Sequence, residues 1–414
     1  MRLAASRIVA LLGLAVPVLA PGLAAGQADP ETLFVSGSRG VPAVPGGRPP
    51  VLPGCRDCHG RDGAGGREGG AIVPPITRSA LARATLARPA YDEAAFAVAL
   101  RDGTGAGGRR LQALMPRYPL GRDEAGALWR HLESLEASER RGVEPDRIRL
   151  GIDAASGPRL IASLRAALDG GAGEALRVHG RGVELVPVRD AAEIAAGGLL
   201  ALVFATDLAA CHQDGGLPLL FPLAPIGDDL RADEVRSLMP SRRDQAEALL
   251  SGAPSDVAVL ADAAGRALLP GSTARPILDP DRLDKPLPPE LIVLVAPARW
   301  RDLVGLLRPG TRVHAIGPEI GAVLPALARG GIRLVLTDPS AGPGVDPAPA
   351  PDRLARAAAA LLRAALVAAG RDLTRGALLR AFDTLHLDGS DWPGLDYARH
   401  PRTGRRDTIL LRLE

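Results

Sequence analysis

The sequence predicts a multidomain protein, in which an all-α segment with long loops precedes a larger α/β region. Length is the first observation, because 414 residues are too many for one small domain. The second is a change of pattern along the chain. Up to about residue 138 helical stretches alternate with loops rich in Gly and Pro, whereas from residue 148 short apolar runs alternate with amphipathic stretches. We therefore expect two folded parts, joined by a charged linker over residues 139–147.

Residues 1–26 have the layout of a secretory signal peptide. Arg2 and Arg7 precede an apolar run from Ile8 to Ala20, and small residues follow through Gly26. The run is too short to span a bilayer, and an uncleaved anchor is the alternative interpretation. We therefore expect an exported, soluble protein of the periplasm, without a membrane span once the signal peptide is removed.

The segment Cys55-Arg56-Asp57-Cys58-His59 carries the strongest chemical signal in the chain. Two thiols three positions apart can each add to one vinyl group of the same porphyrin, and the histidine that follows is then held beneath the iron as its proximal ligand. In bacteria this attachment takes place outside the cytoplasm, which agrees with the expected export. The motif predicts one covalently bound haem c.

Met115 is the candidate for the second axial ligand. It lies 56 positions after His59 (115 − 59), and a thioether opposite a histidine suits a low-spin haem that transfers electrons. Met239 and His131 are the alternatives. We favour packing roles for both, because a buried methionine and a histidine on an apolar helical stripe usually belong to a core.

The segments on either side of Met115 complete this part of the chain. A backbone carbonyl between Ile72 and Ile76 could accept the second N–H of the proximal histidine. A helix that starts near Asp123, with an apolar stripe ending at Leu135, closes the segment.

With these motifs, residues 29–138 resemble a class I cytochrome c. One departure is the stretch Ser36 to Gly54, rich in Gly and Pro, which replaces the amphipathic helix that usually precedes the motif. The resemblance implies thioether links at Cys55 and Cys58, axial ligands His59 and Met115, and a carbonyl of Pro74 that orients the histidine.

Residues 148–414 are predicted to form parallel sheets covered by helices on both faces, because strand and helix patterns alternate there. The predicted strands are Arg147 to Asp153, Val183 to Val188, Leu199 to Thr206, Val257 to Leu260, Leu291 to Ala296, Arg312 to Ile316 and Ile332 to Leu336. The predicted helices are Gly157 to Asp169, Ala191 to Ala196, Asp244 to Leu250, Trp300 to Leu307, Gly321 to Leu327 and Asp352 to Ala369.

Ligands of such sheets bind at the carboxyl ends of strands. Thr206, Asp207, Trp300 and Glu319 follow predicted strand ends and could line a cleft. The alternative is that each is an ordinary loop residue, because a fold by itself does not fix a site.

This half resembles the type I periplasmic binding proteins, which include the leucine, isoleucine and valine receptors of ABC importers. The resemblance is carried by residues 238–245 and by residues 368–382. It implies two α/β lobes on a hinge that close over a small ligand such as an amino acid. The half departs from the family in length, at about 265 residues, and in lacking a serine-rich turn at residues 203–207.

Composition and motifs exclude other classes. The chain has 50 basic and 47 acidic side chains, and the arginines are scattered rather than clustered, which argues against a nucleic-acid partner. No Gly-rich phosphate loop follows a strand and no Ser-His-Asp set is recognisable, so we expect no enzyme. Cys211 is the cysteine left once the haem takes two, and we expect it to be a buried apolar residue.

The whole arrangement resembles the bacterial proteins in which a cytochrome c is fused to an ABC-transporter substrate-binding protein. We expect a periplasmic monohaem cytochrome that carries one electron, with a second domain that binds a ligand or docks a redox partner protein. One alternative is a solute receptor of an ABC importer with the haem as redox sensor. The other is an electron-transfer subunit of a periplasmic dehydrogenase.

Overall fold

The structure is a computed structural model, and it describes residues 29–39, 51–68, 70–170, 175–207, 216–283, 286–342, 350–389 and 391–413. The expected signal peptide and Cys211 lie outside the described residues. The chain divides into two compact units. The first comprises the described residues up to 55 and residues 84–131, and the second comprises residues 56–83 and those from 132 onward.

These units do not coincide with the domain limits expected from the sequence. Residues 56–83, which begin inside the CxxCH motif, belong to the same compact unit as the α/β region. The expected linker is short in the structure, since one helix ends at Glu139 and the next strand begins at Arg147.

Short helices dominate the chain up to residue 139. The elements there are α1 Pro30–Ser36, β1 Ser38–Arg39, β2 Val51–Leu52, α2 Cys55–His59, β3 Gly66–Glu68, β4 Ala71–Val73, α3 Arg78–Leu81, α4 Glu93–Asp102 and α5 Arg122–Glu139.

In the first unit a short helix does precede the CxxCH motif. Asp29 caps α1 by accepting the N–H of Thr32, and the helix buries Leu33 and Phe34. The ring of Phe34 lies 5.5 Å from the ring of His131 on α5. His131 is therefore a packing residue, as its place on the apolar stripe predicts. Part of the segment that was expected to replace a helix, residues 40–50, lies outside the described residues.

The α/β region begins with the strand expected from the sequence and alternates as predicted. Its elements are β5 Arg147–Asp153, α6 Pro158–Leu168, β6 Arg177–Val178, β7 Arg181–Val188, α7 Ala191–Ala196, β8 Ala201–Val203, β9 Leu219–Leu220, β10 Val235–Arg236, α8 Arg242–Gly252, β11 Ala258–Ala261, α9 Ala263–Arg266, β12 Ile277–Leu278, β13 Glu290–Leu294, α10 Trp300–Leu303, β14 Arg312–Ala315, α11 Leu324–Arg329, β15 Arg333–Asp338, α12 Ala350–Ala369, α13 Arg375–Ala381, β16 His386–Leu387, β17 Leu395–Asp396 and β18 Ile409–Leu413.

Two six-stranded sheets define two lobes within this unit. The first sheet has the order β10-β9-β8-β5-β7-β6 and the second the order β12-β11-β13-β14-β15-β18. Neighbouring strands are parallel except at one edge of each sheet, where β6 pairs antiparallel with β7 and β18 antiparallel with β15. The two-lobed α/β architecture expected from the sequence is therefore present.

Both faces of each sheet are covered, as continuous apolar strands require. In β8, Ala201 and Val203 join a core shared with α6, α12 and α13, whereas Leu202 joins a second core on the opposite face. In β13 of the second sheet, Val293 and Leu294 likewise belong to different cores.

The chain passes between the lobes three times. It leaves the first lobe after β10, returns through α12 and α13, and enters the second sheet again as β18. The carboxyl ends of β10 and β15 lead into two of these crossings, so this region is where ligands of α/β sheets are expected.

Candidate functional site

His59 is held in a defined tautomer at the end of α2. Its Nδ1 lies 2.8 Å from the carbonyl oxygen of Pro74. A carbonyl can only accept, so Nδ1 carries the proton and donates it. The other ring nitrogen, Nε2, is then the one with a lone pair for a metal. The side chain is 6 % exposed, so this orientation is fixed by its surroundings.

The backbone after His59 folds back on the histidine. The N–H of Gly65 donates to the carbonyl of His59 at 2.8 Å, and the N–H of Ile76 donates to the carbonyl of Gly63 at 2.7 Å. Gly65 has a φ of +74°, and a Cβ there would meet the carbonyl oxygen of Val73 at 2.3 Å. Only glycine fits this position, and it brings the strand that leads to Pro74 back beside the histidine.

These residues fit a covalently attached haem. Cys55, Cys58 and His59 lie within one short helix, so the two thiols and the imidazole are about one turn apart. Ile72, two residues before the carbonyl that holds the histidine, is 69 % exposed. An exposed apolar side chain of this size, so close in sequence to the carbonyl that orients His59, suits contact with a porphyrin.

Met115 lies in the first unit, in a turn organised by one arginine. The N–H of Met115 donates to the carbonyl of Gln112 at 3.1 Å. The guanidinium of Arg117 donates to the carbonyls of Met115 and Leu111. A Cβ at Gly103 would collide with this guanidinium, since it would lie 2.1 Å from its Nε. The turn that presents Met115 is thus held by hydrogen bonds to its backbone. Its role as an axial ligand remains a prediction.

Thr206 and Asp207 follow β8, at the carboxyl edge of the first sheet. The N–H and Oγ1 of Thr206 donate to Oδ2 of Asp153, at 2.8 and 2.6 Å, and Asp153 ends the neighbouring strand β5. Both predicted residues are exposed. They lie at the expected edge of the sheet, and the hydroxyl of Thr206 is already engaged with Asp153.

Trp300 and Glu319 have structural roles in the second lobe. The sequence predicts that Trp300 lines a cleft. In the structure Trp300 is 1 % exposed and belongs to an apolar core instead. The carboxylate of Glu319, 5 % exposed, pairs with Arg242 at the start of α8. Burial raises the pKa of Glu319 above its ordinary value, although Arg242 opposes the rise. Through this pair and a hydrogen bond from Arg242 to the carbonyl of Val295 at 2.7 Å, the start of α8 is held beside the residues that follow β13 and β14.

A cavity of about 330 Å³ lies where segments of both lobes meet. Most of its lining is apolar, with a few polar groups from the end of β15. None of the four residues predicted to line a cleft takes part. The lining residues are Pro222, Leu223, Leu238, Met239, Gly317, Pro318, Leu336, Thr337, Asp338, Pro339, Ser340, Leu354, Trp392 and Leu411.

Hydrogen bonds hold the walls of this cavity. Nε1 of Trp392 donates to the carbonyl of Leu238 at 2.8 Å. The hydroxyl of Thr337 donates to Gln245 at 2.7 Å, and that of Ser340 donates to Asp338 at 2.7 Å. Among the lining residues Asp338 is the ionisable one, and it is partly exposed. The cavity can take a small, largely apolar molecule that carries one polar or cationic end.

The sequence does not predict this cavity, because most of its lining is apolar and only polar residues after strands indicate a cleft. The nearest sequence signal is the Leu-Met-Pro stretch at residues 238–240, where the sequence predicts a packing role for Met239. Met239 is indeed 7 % exposed and packs in a core cluster, but it also lines the cavity. Apolar residues at strand ends do not reveal from sequence whether they face a core or a pocket.

No protein-family model matches the chain, and no curated protein is similar to it in sequence. The chain is similar to solved structures of binding proteins. One is a fatty acid ABC transporter substrate-binding protein from Thermomonospora curvata, with 15 % identity over 66 % of this chain and 90 % of that one and a TM-score of 0.48. Another is an extracellular ligand-binding receptor from Verminephrobacter eiseniae, with 17 % identity over 64 % and 97 % and a TM-score of 0.47.

A third is a branched-chain amino acid transporter substrate-binding protein from Streptococcus pneumoniae in complex with isoleucine, with 15 % identity over 65 % of this chain and 100 % of that one and a TM-score of 0.42. All three TM-scores lie below 0.5. The two-lobed architecture therefore rests on the strand orders of the two sheets. Across the described residues, no helix is both long and apolar enough to cross a membrane.

Proposed function

We propose that the α/β region is a binding protein for a small, largely apolar solute, as in the receptor of an ABC importer. The observation that carries the proposal is the cavity of about 330 Å³, which is lined by segments from both lobes. Three chain crossings join these lobes. A solute that contacts both lobes stabilises the arrangement in which they are close together.

The lining indicates the chemistry of the solute. Leu223, Leu336, Leu354 and Leu411 offer aliphatic contacts, and this volume is at the lower end for small-molecule sites. Asp338 supplies an acceptor, so a branched or short aliphatic molecule with an amine or hydroxyl fits better than a dianion. Aliphatic amino acids and short aliphatic alcohols belong to this class.

The test is a thermal-stability screen of the mature protein against aliphatic amino acids, alcohols and short carboxylates. A solute that binds the folded state raises the melting temperature, by mass action. Leu354→Trp fills the cavity from α12 and is expected to abolish the shift. Val367→Trp is the matched control, because Val367 lies on the same helix and is 54 % exposed. A shift that persists in Leu354→Trp would place the solute elsewhere, and a flat screen would argue against a receptor.

We propose as a second function that the CxxCH segment carries a covalent haem c and transfers one electron. The observation that favours it is the 2.8 Å contact between Nδ1 of His59 and the carbonyl of Pro74, which prepares the other ring nitrogen for a metal. When bound, the haem would supply one-electron redox chemistry. Cys55 and Cys58 would form the thioether links, and His59 and Met115 would be the ligands of the iron. Such a protein exchanges electrons with a redox partner protein in the periplasm.

The haem assignment is tested by expression with the haem-attachment machinery. We expect haem that stays with the polypeptide on a denaturing gel, and none in the variant Cys55→Ala/Cys58→Ala. Met115→Ala is expected to remove the near-infrared band of oxidised His/Met haem and to lower the potential. Met239→Leu is the control and is expected to change neither. An unchanged band in Met115→Ala would rule out Met115 as the ligand.

The remaining alternative, an electron-transfer subunit of a periplasmic dehydrogenase, stays a prediction from the sequence. It requires that such an enzyme reduces the protein and that no free solute binds.

A further inference from the structure

The CxxCH segment is attached to the start of β10 by two arginines. Arg56, which lies between the two cysteines, pairs with Asp233 at 2.5 Å and with Glu234 at 3.5 Å. Arg61, two residues after the histidine, donates to the backbone carbonyl of Asp233 at 2.7 Å. The side chains of Arg56 and Arg61 are 10 % and 8 % exposed. The haem-bearing segment and residues 233–234 are therefore held together by desolvated charges.

A second set of charged groups, all but Arg380 buried, ties the same segment to α13. Arg61 pairs with Glu139 at 2.9 Å, and the other oxygen of Glu139 accepts the N–H of Gly376 at 2.7 Å. Asp62 accepts two hydrogen bonds from Arg380, both at 2.8 Å. Removing one partner of an ion pair that lies out of water strongly destabilises a fold. The contact between the CxxCH segment and α13 therefore resists separation.

Residues 235–239 lead directly from this attachment to the solute cavity. Val235, Arg236, Ser237 and Leu238 are each at most 2 % exposed, and Leu238 and Met239 line the cavity. The strand β10 is thus packed on all sides along its length. A packed element of this kind moves as a unit, because it has no free space in which to deform.

Arg236 connects β10, which is held by Arg56 and Arg61, with the region of α13, which holds Asp62. Its guanidinium donates to the carbonyl of Leu379 at 2.6 Å and to Asp383 at 2.8 Å, and the next residue on α13, Arg380, holds Asp62. At the cavity, Trp392 donates to the carbonyl of Leu238. Hydrogen bonds, together with the backbone of α13 and of β10, therefore connect Asp62, three residues after His59, with the cavity wall.

We propose that residues 233–239 couple the redox state of the haem-bearing segment to the solute cavity. The proposal rests on the haem and the solute site proposed above. One electron, exchanged with an external redox partner, changes the charge at the iron by one unit between its ferric and ferrous states. That change acts on Arg56 and Arg61 at low dielectric, where charges interact strongly. Their hold on Asp233 sets the position of β10, so the cavity wall responds. By linkage, the solute shifts the midpoint potential by the same coupling free energy.

The test needs no identified solute. Hydrogen exchange of the amides of residues 235–239 is measured by mass spectrometry for the haem-loaded protein, held ferric with ferricyanide or ferrous with ascorbate. We expect the exchange rates in the two states to differ by at least about fivefold, the lower end of ordinary allosteric coupling. Arg56→Met is expected to remove the difference in exchange rates. Arg56→Lys keeps the positive charge and is expected to retain part of that difference.

The control is Arg101→Met, because Arg101 is exposed and pairs with the neighbouring Asp102. It is expected to leave the redox-dependent difference intact. Equal exchange rates in the ferric and ferrous states of a haem-loaded protein would overturn the coupling. A difference in exchange rates that survives in Arg56→Met would also overturn it. Neither result would contradict the haem proposal. A purified protein without covalent haem would overturn the haem proposal and the coupling together, and the denaturing gel identifies that case.

Discussion

Asp62 shows how one residue next to a predicted ligand can belong to a distant part of the chain. Its side chain is 3 % exposed and is bound by Arg380, more than three hundred positions further along. Burial alone would raise the pKa of this carboxyl. The hydrogen bonds and charge of Arg380 outweigh burial and hold the pKa below its ordinary value. The carboxylate therefore stays ionised at neutral pH and holds the segment after His59 on α13.

The pKa of Asp62 predicts a pH-dependent effect of Asp62→Asn. We expect the free energy of unfolding to fall by about 2 kcal/mol at pH 7, less than for a fully buried pair, because Arg380 is 44 % exposed. A lowered pKa stabilises the fold above the unfolded-state value of about 3.9, and this stabilisation is lost as the pH falls through the folded-state pKa. The difference between wild type and variant should therefore shrink below about pH 4. Urea titrations followed by circular dichroism measure it.

The control for this prediction is Asp102→Asn. Asp102 pairs with Arg101 at the surface, so its removal should leave the unfolding curve nearly unchanged at either pH. An Asp62→Asn variant as stable as wild type at pH 7, or equally destabilised at pH 3, would show that the ion pair with Arg380 does not hold the segment.

Gly376 adds a steric requirement at the same contact. A Cβ at this position would lie 2.5 Å from the carboxylate of Asp62. The N–H of the glycine also donates to Glu139. The start of α13 can approach Asp62 closely only because residue 376 has no side chain.

At the scale of elements, the stability of the first lobe depends on the packing of α6 against α12. Leu160, Leu164 and Leu168 form the buried stripe of α6, and they share a core with the alanine-rich face of α12. Small residues on α12 let the two helices approach, and Asp352 fixes their register by accepting hydrogen bonds from Arg159 and Ser163.

Leu164→Ala is expected to lower the free energy of unfolding by about 2–5 kcal/mol. Leu164 is 0 % exposed, and its truncation leaves a cavity that a tightly packed interface cannot close. Thermal or urea unfolding measures the loss. Val367→Ala on α12 is the control, because this side chain is 54 % exposed and should change stability by less than about 0.5 kcal/mol. Equal effects of the two substitutions would contradict the packing described here.

The elements of the α/β region were predictable because each carries a local signal. Apolar runs such as Arg147–Asp153 are buried on both faces, and the helices between them begin at capping residues such as Asp190 and Ser241. The residues that line the cavity were less predictable, because the local sequence does not show whether a side chain faces a core, an ion-pair partner or a cavity. Trp300 and Glu319 do follow strands, yet one turns into a core and the other meets Arg242.

The sequence features around the CxxCH motif are local as well. The contacts that attach this motif to the α/β region are not local. The CxxCH pattern and the Pro-Pro-Ile segment are short-range features, and the structure brings His59 and Pro74 within hydrogen-bond distance. The partners of Arg56, Arg61 and Asp62 lie between 78 and 318 positions away. Pairing at such separations leaves no pattern in a single sequence.

At the scale of the whole molecule, the structure changes how the chain should be divided. The sequence places the haem motif in an N-terminal domain that ends at residue 138. The compact units instead group residues 56–83 with the α/β region. The ion pairs of Arg61 with Glu139 and of Asp62 with Arg380 lie within this unit and agree with the grouping.

This grouping predicts that, in the haem-loaded protein, the haem environment and the first lobe are lost together on unfolding. Coincidence of different probes is the mark of one cooperative transition. We expect the Soret band, which changes when His59 leaves the iron, and far-UV circular dichroism to follow one curve in urea. Asp62→Asn should shift both curves to lower urea by the same amount, because it loosens the contact between the CxxCH segment and α13. Asp102→Asn should shift neither. If Asp62→Asn moved the Soret transition alone, the CxxCH segment would unfold as an independent domain, as the sequence predicts.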